Sequence, residues 1–134
     1  ENAVFGTTAI NVGLICLEPG LQLARWIGYK RALEYVLSGD FIPAEEALRL
    51  GIAWKVVKIE DLEKETLELA RKLAAKSPLA LATGKRGFRQ MDGLPLEKAV
   101  EAGGEMFAAL IATEDATEGL EAFLGKRKPA WKGR

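Results

Sequence analysis

From about residue 19 to the end of the chain, apolar side chains recur at helical spacing, and glycine or proline cuts the pattern into short segments. Such a chain has few strands on which to lay its helices. Each amphipathic helix must still hide its stripe against something. The clearest case is residues 61–77, where Leu62, Thr66, Leu69, Ala70 and Leu73 share a face. Acids crowd the start of that segment, and Arg71, Lys72 and Lys76 sit near its end, matching the helix dipole.

The other segments follow from their punctuation. Residues 3–6 ("AVFG") read as extended. Pro19 and Gly20 read as a turn before a short helix over 21–27 that Gly28 stops, and the next helix carries Ala32, Leu33, Val36 and Leu37 before Gly39. In "FIPAEEALRLG", Pro43 suits a first helical position and Gly51 the residue just past the end. "IAWKVVKI", residues 52–59, reads as a strand. Ser77 caps a helix with Pro78 at its first position, interrupted by Gly84 and Gly87 and stopping at Asp92 and Gly93. Residues 95–112 show a stripe of Leu96, Val100, Gly103, Phe107 and Leu110, and Gly103 with Gly104 would admit a close neighbour. Thr113 opens a last helix that Gly125 ends.

Composition narrows the chemistry. Lysine and arginine total 19, as do aspartate and glutamate, so no basic excess exists to neutralise nucleic-acid phosphates. No apolar run approaches the ~20 residues that cross a bilayer, and the first residues lack the pattern of a signal peptide. A soluble, cytoplasmic protein is expected. There is no histidine and a single cysteine, Cys16, so neither an internal disulfide nor a Ser-His triad can be assembled from these residues, and no zinc site is expected. The chain begins at Glu1 rather than methionine, which suggests processing, a fragment or one half of a split polypeptide.

Four stretches, "AVFGTTAINVGL", "LSGDFIPAEEALRLGIAWKVV", "AAKSPLALATGK" and "ATEDATEGLEAFLGKRKPAWKG", together resemble the C-terminal half of the crotonase superfamily, the enoyl-CoA hydratase/isomerase family. The resemblance implies an α/β fold built as a spiral of strand-strand-helix turns. This mostly α chain would supply the last spiral turn, with short helices, over 1–59 and a helical trimerisation region over 60–134. It implies acyl-CoA as substrate, with coenzyme A entering only as part of it and no separate cofactor. The implied partners are copies of the chain in a homotrimer or hexamer, or a separate chain carrying the N-terminal half, with no nucleic acid and no membrane.

It also implies a mechanism in which two backbone N–H groups bind the thioester oxygen and stabilise the enolate. Both donors, and the first catalytic glutamate of the hydratases, belong to the preceding half of the family pattern. The second glutamate falls where hydratases read Phe-Gly-x-Pro-Glu-Ile. Here that position is Ala9, and the aspartate that an isomerase branch places two residues later is Asn11. Neither transfers a proton. Glu18 is the nearest acid, either a general acid or base in a turn or a plain exposed loop residue. Cys16 sits near the nucleophilic aspartate of a dehalogenase branch and is otherwise a small buried hydrophobe. Asn11 either orients a water or the thioester or holds the turn.

In the tail, the family's aromatic and lysine that contact the adenine and phosphates of CoA fall on Phe123 and Lys126. The alternative makes Phe123 core and Lys126, Arg127 and Lys128 a solvated end. Trp26, Trp54 and Trp131 are expected to pack in the core or an interface. Three functions therefore stay open: an acyl-CoA hydratase or isomerase completed by its other half, a non-catalytic oligomerisation or CoA-binding module, and a divergent decarboxylase or thioester hydrolase driven by its oxyanion hole alone.

Overall fold

A computed structural model describes all 134 residues. In chain order the elements are β1 (Val4–Gly6), a 3-10 turn (Thr8–Val12), α1 (Leu17–Ile27), α2 (Tyr29–Ser38), β2 (Phe41–Pro43), α3 (Ala44–Arg49), a second 3-10 turn (Ile59–Asp61), α4 (Leu62–Ala74), α5 (Pro78–Met91), α6 (Leu96–Ile111) and α7 (Glu114–Leu124). No helix is long and apolar enough to cross a membrane. The chain divides into two compact units, Glu1–Thr66 and Leu67–Arg134.

In the first unit, β1 and β2 pair antiparallel, with Val4 opposite Pro43, Phe5 opposite Ile42 and Gly6 opposite Phe41. Ile42 is buried at the centre of that ladder, and Ala44 and Ala47 of α3 are buried behind it. α1 and α2 form a hairpin about Gly28, and Gly20 of α1 lies against Val36 of α2, where a Cβ would come within 2.8 Å of a valine methyl. That contact corrects the turn expected at Pro19 and Gly20, because both lie inside α1. Proline is tolerated there since the N–H groups of a first helical turn have no intrahelical acceptor.

The strand expected over 52–59 is also absent. The N–H groups of Ile52 and Ala53 donate to the Ala47 carbonyl at the end of α3. Valine and isoleucine favour a strand only where a neighbouring strand completes the ladder, and here these backbone groups are engaged elsewhere.

In the second unit, the Ser77 hydroxyl accepts from the Ala80 N–H and caps α5. α5 continues through Gly84 and Gly87. A Cβ at Gly87 would meet the Met106 sulfur at 2.9 Å, so the glycine makes room for a side chain of α6. The single stripe expected on α6 is split. Gly103 and Leu110 turn partly inward with Ala102 and Met106, while Leu96, Val100 and Phe107 stand exposed.

Candidate functional site

The opening stretch places its candidates on two short elements. Ala9 and Asn11 lie on the 3-10 turn, and Cys16 and Glu18 begin α1. Ala9 is half-buried and offers no polar side-chain atom. The Asn11 amide donates to the Gly39 carbonyl at 3.4 Å, tying the 3-10 turn to the end of α2. Gly39 has φ 69°, and a Cβ there would lie 2.6 Å from the Asn11 amide oxygen, so the contact needs glycine for both conformation and space. The geometry thus gives Asn11 a structural task. Cys16 is half-buried at the N-cap of α1 without a side-chain capping bond, and Glu18 is exposed in the first turn, where a carboxylate complements the dipole.

Two features beside these residues escaped the sequence reading. Thr7 carries a buried hydroxyl oxygen with no hydrogen-bond partner. It also lines a largely apolar cavity of about 300 Å³ with Phe5, Pro19, Leu23, Trp26 and Ile42. Pro19, Leu23 and Trp26 recur at helical spacing, a signal hidden once the helix is started at residue 21 rather than 17.

The tail is built differently. Phe123 is 79% exposed, which removes it from the core of its unit. Gly125 ends α7 as the sequence suggests, with an ordinary right-handed φ of −78°. The left-handed position falls on Lys126, with φ 50°, the sole non-glycine residue of positive φ in the chain. The Lys126 N–H donates to the Phe123 carbonyl and the Arg127 N–H to the Ala122 carbonyl, the paired bonds of a Schellman ending.

Arg127 is exposed but not free. Its guanidinium grips Glu118 with two bonds of 2.6 and 2.9 Å, and the same carboxylate accepts the Ala130 N–H at 2.6 Å. Arg127, followed by that N–H, holds the Glu118 carboxyl down to about 2. One turn earlier, Asp115 is 3% exposed and accepts from the Ser77 hydroxyl at 2.6 Å and from the Lys132 and Gly133 N–H groups at 2.7 and 3.0 Å. The Ser77 hydroxyl leads in keeping the Asp115 carboxyl below its ordinary range, and the two backbone donors reinforce it. The Trp131 indole N–H donates to the Ala75 carbonyl while its ring covers Gly119. The last residues are thereby strapped along α7, leaving Phe123 and Lys126 outside the strap. The Lys126 ammonium pairs with no carboxylate of the chain.

Residues 1–134 match the enoyl-CoA hydratase/isomerase family. The chain belongs to that family. Among curated relatives, the human enoyl-CoA hydratase domain-containing protein 3, mitochondrial, is 39% identical over 98% of this chain and 43% of its own length. The 2,3-dehydroadipyl-CoA hydratase of Escherichia coli is 39% identical over the whole chain and 53% of its own. A solved enoyl-CoA hydratase from Mycobacterium smegmatis superposes with a TM-score of 0.92 at 37% identity, covering 97% of this chain and 51% of that one. The solved human domain-containing protein 3 gives 0.90 at 40% identity, over 96% and 51%. This member of the enoyl-CoA hydratase/isomerase family therefore has the crotonase fold, represented by a mostly helical portion, and spans about half the length of the curated relatives it matches.

Proposed function

We propose that this chain is the C-terminal part of an enoyl-CoA hydratase/isomerase-like protein that acts on acyl-CoA thioesters. The family match across all 134 residues carries the proposal, and the half-length coverage of relatives supports its partial character. In this reading the other half supplies the backbone N–H pair that holds the thioester oxygen, and the present chain supplies recognition of the nucleotide end. Phe123 offers an exposed aromatic face for a base, and Lys126 an unpaired ammonium for phosphate. In the trimer or hexamer that the resemblance implies, a neighbouring subunit shares this contact. The cytoplasmic location expected from the sequence stands as a proposal beside the mitochondrial names of the mammalian relatives, and cell fractionation decides between the two.

A second reading, a crotonase-like assembly or CoA-binding module without turnover, is favoured by one observation. The two positions that carry the family acid hold Ala9 and an Asn11 whose amide is engaged by Gly39. Proton exchange separates the readings. An acyl-CoA is incubated in deuterium oxide with the full-length protein, and label at the carbon beside the thioester is followed. Exchange above the buffer rate supports an enzyme in which other groups move the proton. No exchange despite saturable acyl-CoA binding supports the CoA-binding module, and no acyl-CoA binding removes both the enzyme and the CoA-binding module, leaving assembly alone.

A further inference from the structure

Helices that end in a Schellman turn place glycine at the left-handed position by strong preference, because a Cβ there collides with the following carbonyl. Here the glycine stands one residue early. Gly125 adopts an ordinary right-handed φ of −78°, and Lys126 takes the strained position at φ 50°. A residue held against its conformational preference points to a use for its side chain. The turn that carries it is clamped from one carboxylate. Glu118, about two turns back on α7, takes the Arg127 guanidinium through both oxygens and also accepts the Ala130 N–H. Arg127 thus fixes the residue immediately after Lys126, while the Phe123 and Ala122 carbonyls hold the peptide from the helix side.

We propose that Glu118 and Arg127 are positioning residues: their two-pronged pair holds Lys126 in its left-handed conformation so that its ammonium is presented, beside Phe123, to the phosphates of a coenzyme A thioester. The inference rests on the CoA-binding role given to Lys126 above and extends it to two residues whose charged groups are engaged with each other. A charged clamp suits the task because a bidentate guanidinium-carboxylate pair fixes direction as well as distance. The depressed Glu118 carboxyl keeps the clamp charged throughout the neutral range.

The test uses the full-length protein, with coenzyme A and pantetheine, which lacks the nucleotide, as calorimetric ligands. Lys126→Gly is expected to weaken coenzyme A about tenfold or more, leave pantetheine unchanged and raise Tm by about 2–4 °C, since glycine relieves the strain. Glu118→Gln is expected to weaken coenzyme A several-fold in the parent and to have no further effect in the Lys126→Gly background. Arg127→Lys, which keeps the charge but loses the fork, serves as a second clamp variant and should behave in the same way. If either clamp variant weakens coenzyme A equally with lysine or glycine at position 126, or not at all, the positioning role is overturned while the Lys126 reading stands. If Lys126→Gly leaves coenzyme A affinity unchanged, the CoA reading itself fails and the clamp proposal with it.

Discussion

At the residue scale, the molecule turns on a few positions where conformation and polarity are fixed together. Gly39→Ala would force a Cβ into the Asn11 amide and strain a left-handed backbone, so a loss of about 2–4 kcal/mol in urea unfolding is expected. Asn11→Ala should cost less, since it removes a long hydrogen bond without adding a clash. The two strapped carboxylates give a pH signature. Glu118 is held at about 2 against an ordinary value of 4.5, and Asp115 is shifted in the same direction. A carboxylate whose folded value is depressed adds stability above its unfolded value and loses it as the pH falls toward the folded one. Acid unfolding should therefore steepen below about pH 4.5 and continue toward pH 2, and Glu118→Gln should flatten that limb. An acid limb indifferent to Glu118→Gln would contradict the strap.

At the scale of elements, caps were legible in the sequence and strands only in part, since the extended reading of 3–6 matches β1 while β2 was not foreseen. Ser77 and Thr113 announce α5 and α7, and both hydroxyls accept a backbone N–H three residues on. That signal is local and needs no tertiary partner. The run 52–59 shows the opposite case, because β-branched residues describe what a sheet would accept, whereas pairing depends on a neighbour that a short window cannot reveal. On α6 the period was right but the face was too wide, since Gly103 and Leu110 turn partly inward while Leu96 and Phe107 do not. Ser77 binds two elements, capping α5 and donating to Asp115 of α7. Ser77→Ala should cost about 1–2 kcal/mol in thermal or denaturant unfolding, with the loss concentrated in faster amide exchange over α5 and the final residues. The exposed side chains of α6 carry a separate expectation. If the proposed trimer or hexamer forms through this face, Phe107→Lys should leave helix content unchanged by circular dichroism and reduce the mass seen in light scattering, and an unchanged mass would exclude this face as an interface.

At the scale of the whole molecule, the site was legible to the extent that it depends on residue identity. That Ala9 and Asn11 carry no proton-transferring group could be read directly, whereas the CoA contact of Phe123 and Lys126 came only through the family resemblance and stays a proposal. The strap that isolates those two side chains could not, because Asp115 and Glu118 meet partners up to dozens of residues away and an i, i+3 pair of acids on a helix ordinarily faces water. As proposed, the residues present here recognise the carrier, and the proton chemistry lies with other groups. Its most direct test is an equilibrium titration of the full-length protein with an acyl-CoA, parent against Phe123→Ala. The account predicts saturable binding that falls about tenfold with the substitution, as loss of one stacked base implies. Binding that is absent, or identical in the two proteins, would contradict it.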